Sequence, residues 1–293
     1  MLVGIDAVRS GYISRSGQRI HWQEFGSGRE AVLLLPTWSI VHSDFWRHQV
    51  PFLSQNHRVI TFDGLGNGAS DRPLDPRYYG DLLFADDGAA VLDACGLEKA
   101  AIAGVSQGGP WALALAVRHP ERVSAAIFIA ANVPLAPGHP VRVAAGHAFL
   151  DVLTEYLGWS KWNKNYWQQD YPGFLRFFFS KCFTEPNSES QIEHFYQMGM
   201  QTSAEILLAT DGTDEQFLGP ELAREYAKAI RCPSLVIHGD EDEITPVARG
   251  IELARLTGAE LVIMPGSGHE PQCRIPKQTN QLIADFLARS HRH

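Results

Sequence analysis

Six short runs of strand-forming residues, "AVLLL", "RVITF", "AAIAGV", "VSAAIFIA", "SLVIHG" and "AELVIM", recur along the chain with helical stretches between them, among them 81–94, 108–119 and 275–288. Strands separated by helices must return over a sheet face, which dictates an α/β fold: a mostly parallel sheet with helices on both faces. Ahead of the first run, "GYISRSGQRIHWQEFG" alternates about Ser16-Gly17 and predicts an antiparallel hairpin at the sheet edge. Between Ala130 and Ser234 no strand-like run of comparable quality occurs, so a mostly helical insertion is expected there. At 293 residues the chain divides into a core of 1–132 and 226–293 and an inserted helical segment of 133–225.

The insertion is unusually aromatic: 14 of the chain's 30 aromatic residues fall between Phe149 and Tyr196, among them Trp159, Trp162 and Trp167. Most such rings pack their own helices and the remainder line a pocket. A net charge of -8 leaves no basic footprint, so nucleic acid and anionic lipid are not expected as partners. Cys95, Cys182, Cys232 and Cys273 lack CxxC or Cys/His ligand spacing, which predicts reduced thiols and no metal site. The start, "MLVGIDAVRSGYISRSG", has no basic segment followed by an apolar stretch, and no apolar run reaches the roughly 18 residues of a membrane span. A cytoplasmic protein acting on a small molecule is expected.

The chemistry centres on "IAGVSQGGPWALAL", where Gly104, Val105, Ser106, Gln107 and Gly108 spell G-x-S-x-G between a strand and a helix. A serine on so sharp a turn has a strained backbone and needs small neighbours, which the two glycines supply. The turn presents Oγ at the C-terminal end of its strand, and the following helix directs the Gln107 N–H toward any oxyanion formed there. An unaided serine is a poor nucleophile, so an acid and then a histidine should follow in the chain. "SLVIHGDEDEITP" ends a strand with Asp240, Glu241, Asp242 and Glu243, and "AELVIMPGSGHEP" ends the last one with His269. All stand beyond strand ends, where such folds place ligands.

Taken together, the "GVSQGG" elbow, "FDGLGNGASDRP" after the second parallel strand, "HGDEDEITP" and "GSGH" make the sequence resemble the α/β-hydrolase superfamily over nearly its whole length, with a helical cap in the usual place. The resemblance implies Ser106 as nucleophile, His269 as general base and Asp242 as its orienting acid, with Asp240 capping the turn. The glycines of Asp63-Gly64-Leu65-Gly66-Asn67-Gly68 lack the helix-opening context of a phosphate loop and read as a tight turn, so no nucleotide or other cofactor is expected. Relatives usually carry His-Gly after the first parallel strand and use the next backbone N–H as a second oxyanion donor. Pro36-Thr37 stands in that place here, and since proline has no N–H, the Trp38 amide becomes the matching donor beside that of Gln107. Thr37 is the next candidate donor, and Thr37 and Trp38 join Trp159, Trp162 and Trp167 as expected pocket walls.

The expected activity is hydrolysis of an ester, thioester or lactone of an apolar or aromatic small molecule through an acyl-enzyme. The same residues could cleave a carbon–carbon bond, open an enol-lactone or pass the acyl group to another acceptor. A serine nucleophile argues against dehalogenase and epoxide hydrolase chemistry, whose relatives place aspartate there. The alternative of another class is a receptor that keeps the pocket and turns over nothing.

Overall fold

The computed structural model describes residues 5–210 and 217–290. β1 (Arg9–Arg15) and β2 (Gln18–Phe25) form the edge hairpin, with Ser16 and Gly17 both at positive φ in its turn. The following strands are β3 (Ala31–Leu34), β4 (Arg58–Phe62), β5 (Ala100–Val105), β6 (Val123–Ile129), β7 (Ser234–Gly239) and β8 (Glu260–Met264). They form one eight-stranded sheet in the order β1-β2-β4-β3-β5-β6-β7-β8. β2 runs antiparallel to β4, and all pairings beyond β4 are parallel.

The helices α1 (Gln49–Leu53), α2 (Asp81–Ala94) and α3 (Gly108–Arg118) interleave with the strands up to β6. Between β6 and β7 lie α4 (Pro140–His147), α5 (Lys164–Gln169), α6 (Tyr171–Cys182), α7 (Glu189–Gly199), α8 (Ala204–Thr210) and α9 (Pro220–Ala229), with no strand among the described residues. The chain closes with α10 (Val247–Thr257), α11 (Pro271–Arg274) and α12 (Pro276–Ser290). No helix among the described residues is long and apolar enough to cross a membrane.

Strands buried on both faces read as continuous apolar runs, and their alternate residues feed two separate cores. Val32, Leu34, Ala101, Ala103, Val105, Ile127 and Ile129 face one core, shared with Phe286 and Leu287 of α12 and with Trp167 and Phe174 of the helical segment. Leu33, Ile102, Ala126 and Phe128 face the other, shared with Phe84 of α2, Leu113 of α3 and Leu253 of α10. Ala223 and Ala227 of α9 belong to that second core, so the expected boundary at residue 225 falls inside a helix that packs with the sheet's own helices.

Small residues let α3 lie close to the sheet. A Cβ on Gly109 would stand 2.4 Å from the Ala131 Cβ and 2.9 Å from its Cα, closer than real side chains approach. Gly146, in α4, has nothing within 4 Å of its Cβ direction. Gly109→Ala should therefore destabilise by about 1–3 kcal/mol through overpacking. Gly146→Ala should stabilise by about 0.5–1 kcal/mol through reduced chain entropy. Denaturant unfolding of the two variants checks the opposite signs; a shift of the same sign in both would contradict this packing.

Candidate active site

Ser106 follows β5 directly and holds φ at +53°, the left-handed region that is costly for a residue with a Cβ. Three backbone hydrogen bonds fix it there. Its N–H donates to the Ile129 carbonyl at 3.0 Å, and its carbonyl accepts from Gly109 at 3.0 Å and Asn132 at 2.9 Å. A Cβ at Gly104 would lie 2.1 Å from the Gly108 carbonyl oxygen, and one at Gly108 would lie 2.5 Å from that of Pro36. Both motif glycines are thus dictated by backbone crowding, and the second presses the Pro36-Thr37 loop onto the N-terminus of α3. Thr37 and Trp38 reach this position without positive φ.

His269 lies beyond β8 and is 2% exposed. Its Nδ1–H donates to Asp242 Oδ2 at 2.8 Å, which leaves Nε2 as the basic nitrogen. The other carboxylate oxygen, Oδ1, accepts the Ile244 and Thr245 amides at 2.8 Å each. Burial works against a charged Asp242, but the facing His269 and hydrogen bonds from His238 and His269 prevail and hold the carboxyl far below its ordinary range. For His269 burial favours the neutral ring, and the charge and hydrogen bond of Asp242 outweigh it, so its pKa stands above the usual 6.5. Asp240 takes a different part: its Oδ1 accepts the Gly266 amide at 2.7 Å in an exposed turn. Ser106 and His269 are not hydrogen-bonded in this conformation, a bond that typically tightens only around substrate.

A cavity of about 310 Å³ opens at Ser106. Of the expected pocket residues, Trp38 and Trp162 line it, while Thr37, Trp159 and Trp167 do not. Thr37 is buried beside the loop, and Trp167 is fully buried behind the wall, 5.8 Å from the Trp38 ring centroid. Trp159 lines a second cavity, of about 430 Å³, which Trp162 also borders. Trp38 is held in place by its indole N–H, which donates to Thr210 Oγ1 at 2.8 Å, and by the rings of Trp162 and Phe178 at 5.3 and 5.6 Å. Among the described residues the backbone N–H groups of Trp38 and Gln107 have no backbone acceptor.

Several residues beside Ser106 escape sequence reasoning. Asn132 and Arg142 both line the cavity. Asp81, a buried residue opening α2, accepts from Gln107 Nε2 at 2.8 Å, Trp111 Nε1 at 2.7 Å and the Leu218 amide at 2.7 Å. Its carboxyl is raised by burial, which outweighs these donors. Asn132 donates to Gln107 Oε1 at 3.2 Å, so the side chain after the serine is gripped at both ends. An acidic first turn is an ordinary helix start, and nothing in the sequence marks Asp81 as buried. Asn132 follows a strand end, the one signal that pointed toward it. The Asp63 segment is a tight turn: Asp63 accepts the Ser43 and Ala69 amides at 2.9 Å each, and despite burial these bonds and His21 hold its pKa at about 2.

The sequence matches the alpha/beta hydrolase fold family over residues 30–273. It is 31% identical over 252 residues to 2-hydroxymuconate semialdehyde hydrolase of Pseudomonas sp. (strain CF600), covering 83% of this chain and 81% of that protein. A solved N-acyl homoserine lactone degrading enzyme is similar with a TM-score of 0.75 and 25% identity, over 94% of this chain and 100% of that one. Bromoperoxidase from Bacillus anthracis has a TM-score of 0.78 at 23% identity, over 96% and 100% of the two chains, a likeness of fold alone. With the match running from before β3 to beyond His269, and so across the strained serine turn and the buried Asp242–His269 pair, the protein belongs to the alpha/beta hydrolase fold family.

Proposed function

We propose that the protein is a serine hydrolase that cleaves an ester, thioester or lactone of an apolar or aromatic small molecule, with Ser106 as nucleophile, His269 as general base and Asp242 as its orienting acid. The observation that carries this reading is the strained Ser106 turn opening into a cavity that Ile244 also lines, the Ile244 amide being bonded to the same buried carboxylate that takes the His269 Nδ1–H. His269 Nε2 takes the Ser106 proton as Oγ attacks the carbonyl, then returns it to the leaving alcohol or thiol, and water attacking the acyl-enzyme repeats the cycle. The Trp38 and Gln107 amides hold the oxyanion. The helices α4 to α8 act as a cap, supplying Arg142, Trp162, Phe178 and Thr210 to the cavity wall. A second reading, action on a semialdehyde through the same residues, is favoured by the identity with the Pseudomonas relative.

Labelling by a fluorophosphonate probe, together with turnover of 4-nitrophenyl acetate through octanoate, tests the reading. Binding without labelling or turnover would make the protein a receptor. Ser106→Ala should abolish labelling and lower kcat by several orders of magnitude with the fold intact. Asp242→Asn should damage kcat far more than Asp240→Asn, since only Asp242 touches His269; the reverse order in steady-state assays would move the acid to Asp240.

The second oxyanion donor can be tested by removing its hydrogen. Trp38→Pro deletes the N–H and should cost about 100-fold to 1000-fold in kcat, whereas Trp38→Ala keeps it and should mainly change the preferred acyl length. Near-normal kcat in a folded Trp38→Pro protein, verified by circular dichroism, would place the donor at another residue.

The base must be unprotonated, so kcat/KM should fall as pH drops through the His269 pKa, above 6.5. Glu270, adjacent and buried, is pushed up to about 7 chiefly by burial, and its charge raises His269 in turn. The two therefore titrate as a pair. Glu270→Gln removes the neighbouring negative charge and should move the acid limb of the pH–kcat/KM profile to lower pH; an unmoved limb would show the two groups to be uncoupled.

A further inference from the structure

Arg142, on α4, lines the cavity at Ser106, yet among the described residues no carboxylate lies within ion-pair distance of it. Its guanidinium carries five N–H donors. One nitrogen, Nη1, donates to the Ile244 carbonyl, and the flat faces rest against Trp159 and Trp162 at 5.1 and 5.2 Å from the ring centroids. The two indole rings flank the guanidinium, and among the described residues its other donors have no hydrogen-bond partner. Burial brings its pKa down to about 10, still cationic at neutral pH. The charged groups around it do not neutralise it. Asp242 is engaged by His269 and His238, and the nearest other cation, Arg249, adds a second positive charge. Arg249 is likewise bonded to neutral oxygens, Asn132 Oδ1 and the Ala136 carbonyl.

A half-buried cation in a cavity wall with no carboxylate in ion-pair range is left with free donors, and the fork of an arginine matches a carboxylate in two-pronged geometry. We propose that the substrate carries a carboxylate, at the far end of its acyl chain, and that Arg142 receives it while Trp38, Trp162 and Phe178 enclose the apolar chain between the two ends. This rests on the serine hydrolase reading above and narrows its substrate class to monoesters of dicarboxylic acids. The reaction balances as monoester anion plus water giving dicarboxylate, alcohol and one proton. The C–O bond of the ester breaks, the new C–O bond comes from water, and the distal carboxylate takes no part beyond binding Arg142.

The test compares monoethyl adipate with ethyl hexanoate, followed by acid release in a pH-stat, for the wild type, Arg142→Met and Arg142→Lys. A charged hydrogen bond of this kind corresponds to about 10-fold to 100-fold in binding. The wild type should prefer the monoester in kcat/KM, and the ratio of the two esters should fall by that factor in Arg142→Met, with Arg142→Lys between them. Reading the ratio cancels any general disturbance from the lost Ile244 contact. Adipate should raise the Tm of the wild type and not of Arg142→Met. If both esters are hydrolysed with a ratio that Arg142→Met leaves unchanged, the carboxylate proposal falls and the serine hydrolase reading stands. If neither ester is hydrolysed and the fluorophosphonate fails to label, the hydrolase reading falls, and the adipate Tm shift then decides: no difference between wild type and Arg142→Met overturns the proposal. Should Arg142→Met not fold, Arg142→Lys supplies the same ratio and the same Tm comparison.

Discussion

The crowding around Ser106 is the constraint on which the rest of the site depends. A serine at φ +53° persists because its own N–H and carbonyl are bonded to Ile129, Gly109 and Asn132, and because Gly104 and Gly108 let the strand, the helix and the Pro36 carbonyl converge. The energy comes from the sheet: β5 is buried along its whole length, β6 at every residue but Ser124, and they hold the turn between them. Strain of order 1–3 kcal/mol is small beside the burial that opposes its release. The same crowding brings the Trp38 loop over the start of α3, so one packing event positions both Ser106 and the amides proposed to face it.

Charge at the site is organised by different means at its two ends. Asp242 accepts two backbone amides through one oxygen and His269 through the other, so a fully buried carboxylate stays ionised and the imidazole keeps one tautomer. Asp81, with three neutral donors and no cation, is raised instead, and serves to hold the Gln107 side chain away from the cavity centre. Two buried acids of similar exposure thus differ in electrostatic state because one faces an imidazole and the other faces amide and indole N–H groups.

The sheet is legible in the sequence because its central strands are buried on both faces, so they read as short apolar runs such as Ala100–Val105 or the Leu-Val-Ile of Ser234–Gly239. The Ser106 turn is legible for a related reason: the glycines that relieve its crowding are adjacent in the chain. The cavity wall is less so. Trp38 and Trp162 reach the cavity from loops while Trp167, on α5, is fully buried behind them, a distinction set by tertiary placement and not by residue type. Arg142 and Asp81 carry no local signal, since an arginine and an aspartate at helix starts are ordinarily solvated; only the tertiary fold brings Arg142 to the cavity wall and buries Asp81. The expected segment boundary at 225 divides α9 because its amphipathic face, docked through Ala223 and Ala227, does not say in the sequence whether it packs on the sheet's helices or on the inserted ones.

The loop bearing His269 is hung from two supports. Its Gly239 side meets the sheet, where a Cβ would strike the Ser267 carbonyl at 2.1 Å, but the His269 amide donates to the Cys182 carbonyl at the end of α6, and Glu185 receives the Gly268 amide at 2.9 Å. Ser106, by contrast, is bonded through its backbone to Ile129 of β6, Gly109 of α3 and Asn132 just past β6. Any swing of α6 outward would pull on the imidazole while leaving the serine where it is. The Ser106 turn and the His269 loop are therefore moored differently, the one among the elements of the sheet core, the other also to the helical segment at Cys182 and Glu185, so that the spacing between them is set as much by how that segment docks as by the sheet.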